Sequence, residues 1–228
     1  RRRMMDMELC KISPGYYRSL QSYSLALKSK NKLLKNPRAD AGVLSAYSEQ
    51  MAAYGEQMIE ERAAFVEQLN ACTARFYHNL QGVSEGIEIR YKCSAEVENA
   101  RESLLAKMQA NAAREREMGV CLTGPHREDL EILINGRDSK IYASQGQQRS
   151  AVLSLKLAQL EWAGQESGEA PILMLDDVMS ELDPNRRRQL IERIDRVQTF
   201  VTCTDLSDLA GAKQGAVYRV EKGELKRI

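Results

Sequence analysis

Histidine is nearly missing from this sequence: its 228 residues hold two, His78 and His126. Cysteine is scarce and scattered. Cys10, Cys72, Cys93, Cys121 and Cys203 form no C-x-x-C pair and no Cys/His cluster, so the two histidines cannot build a metal site with them. An odd, unclustered set also argues against a disulfide framework and for a reducing compartment, the cytoplasm. No apolar run approaches the roughly 18–20 residues that span a bilayer, so no membrane partner is expected, and no signal peptide is visible. Net charge is almost absent too, +1 from 33 basic and 32 acidic residues. Any contact with nucleic acid therefore has to come from a local patch. Arg1-Arg2-Arg3 is one such patch, equally readable as a solvated basic end.

What is present suffices for a core. The chain is 43% hydrophobic and 29% charged, which suits one large globular domain or two small ones. It starts at Arg1 rather than at a methionine and reads as a piece of a longer protein. Its character changes near residue 117. Before that point the pattern is helical. Tyr16, Leu20, Tyr23, Leu27 and Leu34 fall on one stripe, broken by Lys30, and Asn36-Pro37 ends it. A second stripe runs Leu44, Tyr47, Met51, Tyr54, Met58, Phe65, Leu69, Cys72 and Phe76, with Glu61 interrupting. It predicts a helix over 41–80, with Gly55 as a place for a kink. A strand over Gly86–Tyr91 and a third helix over 95–116 follow. Too few heptads are sustained for a long coiled coil, and a locally packed helical lobe is expected.

After residue 117 short apolar runs alternate with turns. Strands are expected over Val120–Leu122, Leu130–Ile134 and Lys140–Tyr142, the last two joined at Asn135-Gly136, a strong hairpin signal. A helix over 147–164, a strand over Ile172–Leu175, a helix over 184–197 and a strand over Thr199–Thr202 come next, then a hairpin turning near Lys222-Gly223. Strands alternating with helices imply an α/β layer with parallel pairing at its centre.

Three motifs carry chemistry. Ile172-Leu173-Met174-Leu175 reads as a strand buried on both faces. Asp176 and Asp177 sit at its C-terminal end, where α/β sheets bind ligands. This is the form of a Walker B strand, in which the first acid holds Mg²⁺ and the second polarises the attacking water; the plainer reading is a strand end and a cap. Tyr142–Arg149 reads YASQGQQR before a long apolar helix. A hydroxyl at Ser144, a glycine at Gly146 and free N–H groups at a helix start make an anion site, or simply a serine cap. Ser180-Glu181-Leu182-Asp183 then precedes Pro184 and a new helix, in isolation only a loop and a cap.

Order and spacing weigh more than any one motif. Ser144 lies 32 residues before Asp176, and Asp183 lies 7 after it. That order resembles an ABC/SMC-type ATPase head: signature loop, signature helix, Walker B, D-loop. The details are similar to the RecF family of bacterial DNA-repair ATPases. They are SQGQQR at 144–149, the Asp176-Asp177 pair, Ser180-Glu181-Leu182-Asp183, and Gly124-Pro125-His126-Arg127-Glu128-Asp129-Leu130, where Glu128 replaces an aspartate. Arg2-Arg3-Met4-Met5-Asp6 matches more weakly a run that precedes the family's helical lid. The resemblance covers essentially all 228 residues and is strongest over 119–206.

The resemblance implies an α/β fold, the C-terminal part of an ABC/SMC-type head with a P-loop NTPase-like sheet and an inserted helical lid. Residues 1–14 would end an N-terminal ATPase lobe, 15–116 form the lid and 117–228 form the C-terminal lobe. Two heads would face each other. Ser144, Gln145, Gly146 and Gln147 would serve a nucleotide bound mainly by the partner. Asp176, through Mg²⁺, and Asp177, as the catalytic acid, would serve the head's own ATP. Ser180 and Asp183 would form the D-loop, and Thr204 would stand near the switch position, where transporters have a histidine. The implied partners are DNA, without sequence preference, an ATP-dependent second copy, and RecR, with RecO and RecA in the pathway of gap repair, replication and the SOS response. No G-x-x-x-x-G-K-[S/T] occurs in the chain, so the P-loop is expected upstream, and the chain alone is expected not to hydrolyse ATP. Two rivals are the ATP-binding subunit of a transporter and a non-enzymatic lid or partner-binding fragment.

Overall fold

The computed structural model describes residues 1–81, 85–194, 197–212 and 215–228. Helix α1 (Arg2–Ile12) leads into α2 (Pro14–Leu34). Ser13 caps α2 by accepting from the Tyr16 amide at 3.0 Å, with Pro14 in the first turn. The predicted stripe faces inward: Tyr16, Tyr23 and Leu34 are buried. Lys30, which breaks the stripe in the sequence, is buried with them because Glu115 accepts from its ammonium at 2.8 Å.

Helix α3 (Ala41–Gln81) is about 60 Å long at 1.5 Å per residue. It runs unbroken through Gly55, the place where the sequence allows a kink. Glycine serves packing there instead: a Cβ at 55 would lie 2.8 Å from Leu104 Cδ1. The helix packs along α2 and against the elements that follow, the local packing expected in place of a long coiled coil.

Strand β1 (Ile87–Lys92) is followed by two helices, α4 (Ala100–Ala110) and α5 (Ala112–Met118), rather than the single one predicted over 95–116. The break is at Asn111, whose side-chain amide donates to the Lys107 carbonyl and to Thr123 Oγ1. The strand expected over Val120–Leu122 does not form. Its amides are taken instead by the Glu115 carbonyl, Asn31 Oδ1 and Glu115 Oε1, in that order. Side chains thus satisfy donors that a neighbouring strand would otherwise need to meet.

Strand β2 (Asp129–Ile134) pairs antiparallel with β1, Ile89 opposite Ile132, and with the two-residue β3 (Arg137–Asp138). This sheet crosses residue 117. Asn135 and Gly136 both have positive φ, 50° and 74°, as a two-residue hairpin turn of the I′ kind requires. The strand expected over 140–142 is a helical turn, α6 (Ser139–Tyr142), because the Asp138 side chain caps it through the Lys140 amide.

Helix α7 (Gln145–Ser167) packs on α3, with Phe65 meeting Trp162 edge-on at 4.6 Å between centroids. Strands β4 (Leu173–Asp176) and β5 (Thr199–Thr202) pair in parallel, as alternation of strands and helices predicts. Helix α8 (Pro184–Ile194) lies between them in sequence. It ends before Val197, its predicted limit, and residues 195–196 lie outside the described residues. The expected burial of β4 on both faces is not found. Leu175 enters the core, while Met174 on the opposite face is 78% exposed; successive side chains of a strand point to opposite faces, and one face is covered. The chain closes with the hairpin β6 (Tyr218–Glu221) and β7 (Glu224–Arg227), turning at Lys222 and Gly223. No helix among the described residues is long and apolar enough to cross a membrane.

Candidate nucleotide site

The acid pair stands at the C-terminal end of the parallel strands. Asp176 lies opposite Thr202 in register. The Thr202 hydroxyl donates to Asp176 Oδ1 at 2.6 Å and accepts from the Asp177 amide at 3.0 Å. Asp177 has φ 52°, a left-handed conformation that is uncommon outside glycine. Its two ends are fixed: the amide by Thr202, the carbonyl by the Ser180 hydroxyl at 2.8 Å. Both carboxylates are exposed. Burial raises the nearby Cys203 thiol, and the carboxylates of Asp208, Asp205 and Asp177 raise it further. This edge is therefore negative and suited to a cation. Thr204 follows in an exposed bend beside it.

The segment after the acids is locked by local bonds. A 3₁₀ turn over Met179–Glu181 buries Met179, and Leu182 is buried after it. Asp183 caps α8 by accepting from the amides of Asn185 and Arg186 at 3.0 and 3.1 Å, and pairs with the Arg186 guanidinium at 3.3 Å. Arg187 donates to the Leu182 carbonyl and pairs with Asp208.

Ser144 is the cap of α7. Its hydroxyl oxygen accepts from the Gln147 amide at 3.2 Å, and its own amide donates to Gln147 Oε1 at 2.8 Å, a complete capping box. The other end of the Gln147 side chain donates to Glu85 at 2.7 Å. Gln147 is thus committed to holding the turn, while the exposed Ser144 hydroxyl keeps its proton for a further acceptor. The first-turn N–H groups of Gln145 and Gly146 have no partner within the helix. No acidic residue occupies that turn, so the dipole end stays positive.

Two contacts bring this turn to the acid loop. A Cβ at Gly146 would lie 3.6 Å from the Arg186 guanidinium, and Arg149 meets Glu181 at 3.7 Å. The motifs at 144–149 and 180–186 are neighbours although thirty residues separate them. A cleft of about 790 Å³ lies between α7 and β4, lined by Gln145, Arg149, Val152, Ile172 and Met174 among others. Its apolar wall is rimmed by charges, Glu8, Lys11, Arg149, Lys156 and Glu181, and it does not include Asp176 or Asp177.

The Gly124–Leu130 and Arg2–Asp6 matches meet at a residue that the sequence reading passed over. Arg62 is buried in α3 at 1% exposure. It donates to Asp6 Oδ1 at 2.7 Å, Glu128 Oε2 at 2.8 Å, the Pro125 carbonyl at 2.9 Å and the Tyr16 hydroxyl at 2.9 Å. Glu128 also accepts from Ser94 and from Tyr91. Burial holds the Tyr16 and Tyr91 hydroxyls protonated, far above the ordinary tyrosine range. The signal was available: Arg62 falls on the buried stripe between Met58 and Phe65. A charge on a core stripe calls for buried partners of opposite sign.

No group of three or more His, Cys, Asp or Glu among the described residues could hold a metal ion unaided. The Asp176–Thr202 edge offers hard oxygen donors and one or two carboxylates. That suits Mg²⁺, which completes its shell with water and substrate phosphate, and does not suit zinc.

No family model matches the sequence. Curated relatives do match. The DNA replication and repair protein RecF of Symbiobacterium thermophilum is 41% identical over 228 residues, covering 96% of this chain and 61% of that protein. The RecF of Clostridium botulinum is 38% identical over 233 residues, covering all of this chain and 64% of that protein. The chain thus spans about three fifths of the length of these relatives. Among solved structures, the recombination mediator protein RecF with ATPrS, in the RecFOR pathway, superposes with a TM-score of 0.86 at 34% identity, covering 100% of this chain and 62% of that one. The Smc head domain of Pyrococcus furiosus, bound to the C-terminal domain of ScpA, superposes at 0.53 with 12% identity, over 100% of this chain and 56% of that one. The latter bears on the fold alone. The α/β class and the likeness of the fold to an Smc head are thereby shown.

Proposed function

The chain belongs to the RecF family, and from that premise we propose that it supplies one half of a shared ATP site in a DNA-repair clamp. Because it spans about three fifths of its relatives' length, activity, ligands and partners of the whole protein all belong to this proposal. Asp176 and Asp177 serve the head's own nucleotide. Asp176, its carboxylate fixed by Thr202, would hold Mg²⁺, and the carboxylate of Asp177 would orient the water that attacks the γ-phosphate. Mg²⁺, when bound, would neutralise charge developing on the phosphates. Ser144 and the free N–H groups of Gln145 and Gly146 serve the nucleotide of a second head, with Gln147 holding the turn in shape. Ser180 and Asp183 face the partner as the D-loop, and Thr204 senses the γ-phosphate. The P-loop comes from a part of the protein outside these 228 residues.

The single observation that carries this reading is the Arg149–Glu181 pair at 3.7 Å, which sets the Ser144 turn beside the loop after the acids, so that one chain offers both halves of a site to a second copy. ATP binding fits solved RecF structures that carry ATP or ATPrS. In this reading residues 15–116 form a lid beside the lobe of 117–228. ATP closes two copies on DNA, hydrolysis opens them, and the clamp works in the cytoplasm with RecR and RecO ahead of RecA loading. Sedimentation of the full-length protein tests the arrangement. A monomer should become a dimer on adding ATP and Mg²⁺, and Ser144→Arg should remove that shift. A Ser144→Arg protein that dimerises with ATP as the parent does would contradict it.

A further inference from the structure

Charge is spread unevenly along a chain whose net charge is only +1. Between Glu8 and Asp40 no acidic residue occurs, while Lys11, Arg18, Lys28, Lys30, Lys32, Lys35 and Arg38 supply seven positive charges. The rest of the chain holds 26 basic and 32 acidic residues, a net of −6. Helix α2 carries most of this segment. Its inward face holds Tyr16, Tyr23 and Leu34, and Lys30 is neutralised there by Glu115. Its outward face is Arg18, Gln21, Leu25, Lys28 and Lys32, continued by Lys35 at the C-cap, all exposed and spaced by threes and fours. Among the described residues, Arg18, Lys28, Lys32 and Lys35 have no ion-pair partner. At the far end, Arg116 donates to the Ala39 carbonyl at 3.3 Å, placing another cation beside the α2–α3 turn.

We infer that the outer face of α2 is a docking strip for the phosphate backbone of duplex DNA, an inference that rests on the DNA-clamp reading above. From residue 18 to 35 the strip is about 26 Å long, near three quarters of a helical turn of B-DNA. Cations strung over that length without a concavity do not converge on a small anion; they match a long polyanion. A membrane surface fits less well, because the apolar stripe of α2 is spent inside and Tyr17 and Leu25 are the large apolar side chains left exposed on the helix. An acidic protein partner would call for a contiguous apolar centre, broader than these two separated side chains. Backbone contacts of this kind carry no base preference and make affinity fall steeply with salt.

The test compares two triple variants of the full-length protein with ATP present. Lys28→Gln/Lys32→Gln/Lys35→Gln alters the strip; Lys140→Gln/Lys222→Gln/Lys226→Gln removes the same charge elsewhere. Fluorescence anisotropy on a short duplex, titrated with NaCl, gives the slope of log affinity against log salt. The strip variant should lower the magnitude of that slope by about 2–3, close to 0.9 per lost phosphate contact, and the control should leave it unchanged. ATP turnover without DNA and the circular dichroism spectrum should match the parent in both. An unchanged slope in the strip variant, or an equal fall in the control, overturns the inference and leaves the clamp reading intact. A parent that binds no duplex overturns both. A strip variant that keeps duplex binding but loses binding to phosphatidylserine vesicles assigns the face to membranes and also overturns it.

Discussion

Arg62 and Glu128 meet at 2.8 Å, with side-chain exposures of 1% and 0%. Their contact ties the middle of the longest helix to the Gly124–Leu130 segment, and Asp6 of α1 joins the same guanidinium from another side. Three stretches far apart in the sequence are thus held by one buried charge. The motif at 124–130, which resembles a functional signature, works here as a clasp inside the fold. The replacement of aspartate by glutamate at 128 keeps the carboxylate that this clasp needs.

Removing the cation strands two carboxylates. Arg62→Ala should cost about 3–5 kcal/mol of stability, the range for breaking a buried pair by deleting one partner. Arg62→Met combined with Glu128→Gln should lose less than the sum of the two single changes, since the pair is strongly coupled. Urea denaturation of the full-length protein measures both.

His126 makes stability depend on acid. Its Nε2–H donates to the Cys121 carbonyl at 3.2 Å, and its Nδ1 accepts from the Tyr23 hydroxyl at 2.7 Å. Burial pushes its pKa down to about 4, against roughly 6.5 in an unfolded chain. The unfolded chain therefore takes up the proton first as pH falls. The contribution is fully present above about pH 6.5 and is lost as pH drops toward 4, on the order of 3 kcal/mol in all. His126→Gln should flatten unfolding free energy against pH across that window, and an unchanged slope would show that the ring does not titrate as its burial implies.

Gly124 is required by close approach as well as by backbone. Its φ is 131°, and an added Cβ would fall 2.2 Å from the Tyr23 hydroxyl. Gly124→Ala should cost about 2–4 kcal/mol, combining backbone strain with a forced shift of Tyr23 away from His126. Thermal unfolding reads the loss. A nearly silent substitution would mean that this turn adapts freely.

Asp177 separates chemistry from folding. Asparagine tolerates left-handed backbone nearly as well as aspartate, and the bonds that fix position 177 run through its amide and carbonyl. Asp177→Asn should keep stability within about 0.5 kcal/mol while abolishing ATP turnover by the full-length protein. Denaturation and a phosphate-release assay on the same preparation check the two halves of that statement.

Much of this was legible in the sequence because it depends on local pattern. The stripes of α2 and α3, the Asn135-Gly136 turn and the parallel β4–β5 pair follow from spacing and turn chemistry. Several of the failures share a cause in tertiary bonding. The amides of Val120–Leu122 are claimed by Glu115 and Asn31, and Asn111 divides a helix by bonding across to Thr123. Lys30 and Arg62 look like interruptions of apolar stripes until their distant acids are known. Of the site, the order of motifs was visible. The commitment of Gln147 to Glu85, the grip of Thr202 on both acids and the left-handed backbone at Asp177 were not, since each needs residues that the chain brings together only on folding.

A mixing experiment bears most directly on the shared site. In full-length protein, Ser144→Arg and Asp177→Asn should each be inactive alone in DNA-stimulated ATP hydrolysis. Combined one to one, they should regain measurable turnover, at most about a quarter of the parental rate. In each mixed dimer one of the two symmetry-related sites has both an intact Ser144 turn and an intact acid, and that site holds the pair together. A mixture as inactive as its components would place Ser144 and Asp177 on the same nucleotide, or on none, and would contradict the account.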